Sequence, residues 1–384
     1  MHDFHLRDWQ RRALEIWKKA GNRGIVSVVT GGGKTFFALA CLREIRPLTT
    51  LIVVPTAALL DQWWEEAAAF FDLGLDDINI VTSKKGIKVG SINIAVLNTA
   101  SRLPKKVLSD GLFLVVDECH KAASTKFSAV LEIPATATLG LSATPERQYD
   151  DGLNATLIPA LGEVIFEYGY SDALRDGVIV PFVLRNLVFE LEPERKTQYE
   201  KLTKAIARTI QEIGLETPET VALLLRRARL INASENRVRL ALKLVQANRG
   251  KRILLFHEDI ASCDAICTML RGLDVHAGVY HSKMLLRDRA QVLADYRSGG
   301  IEVLVTCRAL DEGFNVPETE IGIIAASTAT RRQRIQRLGR VLRPSGGKEG
   351  ATIFTLIATE PEIRRLREEE AAMKDVSMVT WNSL

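Results

Sequence analysis

The chain has 384 residues, 47% of them apolar and 26% charged, with 51 basic side chains against 47 acidic ones and a net charge of +4. That length suits two or three domains, and the apolar and charged shares together exclude a disordered polymer. The near-balance of charge permits a nucleic-acid partner without demanding one, and no apolar run approaches the ~18 residues of a membrane span. Five scattered cysteines, odd in number and without zinc-knuckle spacing, read as reduced thiols of a cytoplasmic protein. The opening "MHDFHLRDWQRRALEIWKKA" is amphipathic and lacks the apolar centre of a signal peptide.

In chain order, short β-branched runs predict strands at 24–29, 50–54, 92–97, 112–117 and 138–143. After a change of character, further runs predict strands at 183–191, 252–257, 277–281, 302–307, 321–327 and 351–357. Near-continuous apolar runs suit strands buried on both faces, and helical patterns between them imply parallel sheets. The expected fold class is therefore α/β, with two parallel-sheet domains in tandem joined by a helical connector. Within the connector, Tyr199, Leu202, Ile206, Ile210 and Ile213 form one helical stripe, and a second helix carries Arg226, Arg227 and Arg229. A packed connector and a nucleic-acid grip both suit that pattern. The expected boundaries are 1–182, 183–235 and 236–384.

Chemistry concentrates at two places in the first half. In "SVVTGGGKTFFALA" (27–40), Gly31, Gly32 and Gly33 separate a strand from a helix. Three adjacent glycines cost conformational entropy, which a plain turn has no need to spend. They let backbone N–H groups turn inward at a helix N-terminus, a cradle for phosphate. Lys34 then reaches the β/γ-phosphates, and the Thr35 hydroxyl can bind Mg²⁺. The string departs from the usual phosphate-loop pattern in one place, where Val28 stands for the first glycine. At the second place, "LVVDECHKA" ends a strand with Asp117 and Glu118. Asp117 suits a metal contact opposite the phosphates, and Glu118 suits the base that activates water. A solvated strand end capping the next helix is the plainer alternative. Cys119 and His120 are adjacent, have no spaced partners and do not suggest a metal centre.

With "SAT" at 142–144, these strings resemble motifs I, II and III of the superfamily-two helicases. The likeness continues in order: "LRDWQ" is similar to the Q motif, "VVPTAALLDQW" to motif Ia, "ILLFHEDI" to motif IV, "ALDEGFNVPE" to motif V and "QRIQRLGRVLRP" to motif VI. The DECH form, "EGFNVP" and "QRLGRVLRP" look most like the XPB-like and type I/III restriction-motor branch. The motifs extend from residue 6 to about residue 344.

The resemblance implies two RecA-like domains and an ATPase that uses ATP and Mg²⁺. It implies nucleotide contacts from Arg7 and Gln10 of the Q motif, Thr30 beside the glycines, Gly313 and Asn315 of motif V, and Gln333 of motif VI. Asn315 stands where many relatives carry aspartate. Arg337 and Arg340 are implied to be arginine fingers reaching the γ-phosphate from the second domain. Thr56, Asn98, Thr99 and Thr306 resemble positions that grip a nucleic-acid backbone, though N-capping alone would also put polar residues at strand ends. Trp63 and Trp64, adjacent on one helix, point about 100° apart, so one of them is expected in the core. The expected function is an ATP-dependent helicase or translocase acting on nucleic acid, with DNA favoured over RNA. An ATP-gated clamp of the UvrB type is the alternative, as is a motor serving a separate nuclease or a repair or defence protein, since no nuclease constellation is evident. No membrane partner is expected.

Overall fold

The architecture follows from strands too apolar to tolerate water on either face. In the computed structural model, which describes residues 5–104, 111–146, 151–215, 217–307, 316, 318–326, 337, 339, 341–371 and 376–383, the chain divides into two compact units between Asp176 and Gly177.

The first unit runs α1 (Asp8–Lys19), β1 (Arg23–Val28), α2 (Lys34–Ile45), β2 (Thr49–Val54), α3 (Ala57–Phe71), β3 (Ile78–Ile80), β4 (Ile92–Val96), α4 (Leu97–Ala100), β5 (Leu112–Asp117), β6 (Ala137–Ser142), α5 (Ile158–Leu161), β7 (Val164–Tyr168) and α6 (Tyr170–Arg175). Its seven strands pair in parallel in the order β3-β4-β2-β5-β6-β1-β7. Every residue of β2, β5 and β6 is buried, as strands covered on both faces must be. The core gathers Ile25, Leu51, Val53, Leu114 and Val116 beneath helices and turns. Helix α1 is locked to this sheet by its tryptophans. Trp17 donates its indole N–H to the Thr138 carbonyl, and Trp9 stacks on Tyr168 with ring centres 5.0 Å apart.

The second unit runs β8 (Phe182–Val188), α7 (Pro193–Ile213), α8 (Pro218–Asn232), α9 (Glu235–Ala247), β9 (Ile253–His257), α10 (Ile260–Gly272), β10 (Ala277–Tyr280), α11 (Leu286–Ser298), β11 (Val303–Cys307), β12 (Ile321–Ile324), β13 (Ala351–Ile357), α12 (Glu360–Ala371) and β14 (Met378–Ser383). It repeats the plan, with seven parallel strands in the order β10-β11-β9-β12-β13-β8-β14. Strand β8 is a full member of this sheet, paired along its length with β13. Helices α7 and α8 form an antiparallel pair between β8 and α9, and only Ile206 and Thr220 of the two are buried. Among the described residues no helix is long and apolar enough to cross a membrane.

Candidate active site

In a parallel sheet every loop that follows a strand emerges at the same edge, so residues far apart in sequence converge there. The glycine loop follows β1, Ser142 ends β6 and Asp117 ends β5, and the order β5-β6-β1 places these three ends side by side.

The loop is built as a cradle. Gly31 and Gly33 take φ of +85° and +98°, which side-chain-bearing residues rarely adopt. A Cβ on Gly32 would lie 2.4 Å from Cγ1 of Val28 and 3.0 Å from the Val29 carbonyl oxygen. Val28, the departure from the usual pattern, is thus a buried strand residue whose bulk makes a glycine obligatory at 32. Helix α2 begins at Lys34, so its N-terminal amides face the loop. The Thr30 hydroxyl is buried without a partner among the described residues, an orphan that a phosphate oxygen would satisfy. Among the described residues no group of three His, Cys, Asp or Glu side chains is arranged to hold a metal by itself. A cation here would need the mixed set of Thr35, Asp117 and nucleotide phosphate, and those residue types fit a magnesium ion that keeps several waters.

Lys34 Nζ lies 2.8 Å from Glu118 Oε1, joining the loop to the end of β5 in a largely buried ion pair. Glu118 adopts φ +47°, a left-handed backbone that is rare for glutamate and re-aims the chain directly after Asp117. Burial acts against both carboxylates, with different outcomes. In Asp117 burial prevails over the attraction of Lys34, and its pKa is raised. In Glu118 burial is outweighed by Lys34 and then His120, and the pKa is held down to about 2. Burial would lower the pKa of Lys34, but the Glu118 and Asp117 charges more than offset it and raise the value. His120 Nδ1 lies 2.9 Å from the Ser142 hydroxyl and 3.5 Å from Glu118 Oε2, so the "DECH" and "SAT" strings touch.

Of the other expected site residues, Gln10 is buried against the loop. Its amide nitrogen donates to the Gly33 carbonyl, and its oxygen accepts from the Arg7 N–H. Arg7 itself is exposed. Thr56 caps α3, its hydroxyl accepting from the Leu59 N–H. Asn98 is exposed and Thr99 half-buried in the short α4. Thr306 lies inside β11, fully buried, its hydroxyl without a partner among the described residues. Gly313, Asn315, Gln333 and Arg340 lie outside the described residues. Arg337 is interior to the second unit. Its guanidinium pairs with Glu258 at 2.7 Å, donates to the Ala326 carbonyl and sits 5.2 Å over the Phe256 ring.

Two features escaped the sequence. One is the Arg337–Glu258 pair, which no spacing announces because its members are 79 residues apart. The other is Trp63, fully buried, whose indole N–H donates to Asp117 Oδ2 at 2.9 Å. A tryptophan in the core needs a partner for its N–H, and that requirement was the available clue.

Comparison with known proteins agrees with this geometry. Residues 3–147 match the family described as "Type III restriction enzyme, res subunit", and residues 236–345 match "Helicase conserved C-terminal domain". The chain is 27% identical over 359 residues to the DNA 3'-5' translocase XPB2 of Sulfurisphaera tokodaii, covering 88% of this chain and 78% of that one. It is also 27% identical over 365 residues to the DNA 3'-5' helicase XPB of Kineococcus radiotolerans, covering 92% of this chain but only 60% of the relative. Among solved structures, the type ISP restriction-modification enzyme LlaBIII bound to DNA aligns over 99% of this chain and 31% of its own, with a TM-score of 0.67 at 17% identity. The Hef helicase domain of Pyrococcus furiosus aligns over 95% of this chain and 98% of its own, with a TM-score of 0.59 at 17% identity. Tandem parallel sheets, a glycine cradle facing Asp117 and Glu118, and both family matches in order identify the chain as a superfamily-two helicase of the branch that holds the XPB-like and restriction-enzyme motors.

Proposed function

We propose that the chain is an ATP-dependent helicase or translocase acting on DNA, which couples hydrolysis of ATP to movement along the strand. The observation that carries this reading is the Lys34–Glu118 pair beside Asp117 at the edge of the first sheet. In the proposed mechanism Lys34 leaves Glu118 for the β/γ-phosphates when ATP enters, and the amides of residues 31–35 hold the phosphate oxygens. Magnesium, held by Thr35 and Asp117, would neutralise charge on the transferred phosphoryl group. Glu118, released from Lys34, orients the attacking water and takes its proton. Its re-aimed backbone and the nearby His120 keep that carboxylate at the phosphate side. Gln10 acts by bracing the loop at Gly33, with Arg7 beside it at the nucleotide. From the second unit, Arg340 is proposed as the finger that completes the site, with Gln333, Gly313 and Asn315 at the nucleotide or the opposite domain. Arg337 has its guanidinium engaged with Glu258, so its proposed part is to hold motif VI in place. Thr56, Asn98, Thr99 and Thr306 are proposed backbone contacts to nucleic acid. The proposed division of labour has the chain up to Asp176 as the ATP-binding half and the second unit as the second motor half, with β8 in its sheet and α7 and α8 as the helical insertion between β8 and α9.

The test is ATP turnover with and without nucleic acid, run beside strand-displacement and triplex-displacement assays on DNA and RNA. Separated strands define a helicase, and triplex loss alone defines a duplex translocase. ATP-dependent DNA binding without either activity would replace this reading with a clamp. Stimulation by RNA and not DNA would overturn the choice of substrate.

A further inference from the structure

Three tryptophans are fully buried in the first unit, and their indole N–H groups have three different fates. That of Trp9 has no partner among the described residues, and that of Trp17 donates to the Thr138 backbone carbonyl. Only Trp63 spends its N–H on an ionisable side chain, Oδ2 of Asp117. The other oxygen, Oδ1, accepts from the Glu118 backbone N–H at 2.9 Å. The Asp117 carboxylate is therefore held at both oxygens by donors from two different elements. Two such bonds fix its plane and its rotamer, and each oxygen keeps a lone pair directed elsewhere. Helix α3, which places Trp63, is anchored independently by its Thr56 cap and by the burial of Leu60, Ala67 and Phe70. The donor is thus a rigid ring on a rigid helix, as a supporting group for a metal ligand should be.

We propose that Trp63 is a positioning residue for the metal site, its indole N–H setting the Asp117 carboxylate in the orientation that receives the divalent cation accompanying the nucleotide. This rests on the ATPase reading of the site. A ring that only filled the core would contribute to stability and leave the metal dependence of nucleotide binding untouched. A ring that aims Asp117 contributes to that dependence whether or not hydrolysis follows.

The experiment measures ADP affinity of the full chain against Mg²⁺ concentration by calorimetry, together with affinity in EDTA and thermal melting. It compares wild type with Trp63→Phe, Asp117→Asn and the double variant. Trp63→Phe keeps an aromatic ring and removes the donor. Its Mg²⁺ midpoint should rise about tenfold, the weight of one hydrogen bond to a charged group, while affinity in EDTA stays as in wild type. In the Asp117→Asn background the same change should move the midpoint no further, because Trp63 acts through that carboxylate. If Trp63→Phe fails to fold, 3-benzothienylalanine at position 63 keeps the outline of the indole with sulfur in place of N–H, and the same tenfold rise is expected. A wild-type midpoint in either folded variant would overturn the proposal, as would an equal further shift in the Asp117→Asn background. If the wild type itself binds no ADP, the ATPase reading fails instead, and the two failures are distinct.

Discussion

Single side chains in this protein do work that their neighbours in sequence cannot supply. Lys34 reaches Glu118 from the glycine loop, so its removal has two separable consequences. Lys34→Ala should lower ATP turnover about 10²–10³-fold, as loss of one charge-stabilising donor does. It should also cost about 2 kcal/mol of stability, since Glu118 is then left largely buried beside Asp117 without its counter-charge. Lys34→Ala combined with Glu118→Gln should recover the melting temperature and not the turnover. Wild-type turnover per folded molecule in the Lys34→Ala variant would mean that Lys34 serves the fold alone. His257 makes a different kind of prediction. It is fully buried at the end of β9, and burial, then the nearby Arg237 charge, lowers its pKa to about 4. Its contribution is complete above the ordinary histidine value near 6.5 and is lost as pH falls from there towards 4, because the unfolded chain takes the proton first. Between pH 7 and pH 5 the loss should be about 2 kcal/mol. Urea unfolding at the two pH values checks this, and His257→Gln should flatten the difference.

Among the elements, Arg337 of motif VI is tied to the end of β9 by a buried ion pair with Glu258. Arg337 and Glu258 have side-chain exposures of 0% and 2%, and Phe256 beneath them supplies a ring face for the guanidinium. Removing one member takes from the other a short, buried charge partner, which costs about 3–5 kcal/mol. Arg337→Ala should therefore lower the stability of the second unit by that order, whereas replacing both members, as Glu258→Gln with Arg337→Met, should recover most of it. Calorimetric melting of the three proteins decides the matter. An Arg337→Ala protein that melts with wild type while losing stimulated turnover would return Arg337 to a finger's role. Arg237 is a comparable tie elsewhere in the same unit. It donates to the carbonyls of Ala325 and Leu356, ends of two neighbouring segments, and pairs with Glu362 at 2.6 Å.

For the molecule as a whole, a net charge of only +4 limits how DNA can be held. The grip must come from local groups on phosphates and not from a general positive field. A site neutralising about five phosphates should lose affinity for single strands with a log–log slope of roughly −3.5 against salt. Fluorescence anisotropy on strands of unrelated sequence, from low to moderate salt, measures this. A flat response, or a strong preference for one sequence, would contradict a motor that must pass over any base.

The strings "TGGGKT" and "DECH" and the apolar runs around them determined the class of fold and the glycine loop and strand-end carboxylates that meet at the edge of the first sheet, because both are local in the chain. A strand buried on two faces must be apolar throughout, so β2, β5, β9 and β13 were legible at nearly their final bounds. Strands β3, β7 and β14 were not. They have three to six residues, they lie at or beside a sheet edge, and β7 and β14 are mostly half-exposed, so neither length nor continuous apolarity marks them. The tertiary structure alone decided which donors reach which carboxylates. Trp63 meets Asp117 across 54 residues and Arg337 meets Glu258 across 79. Such contacts depend on strand order and helix rotation, and a one-dimensional pattern fixes neither; burial is what gives them their energetic weight.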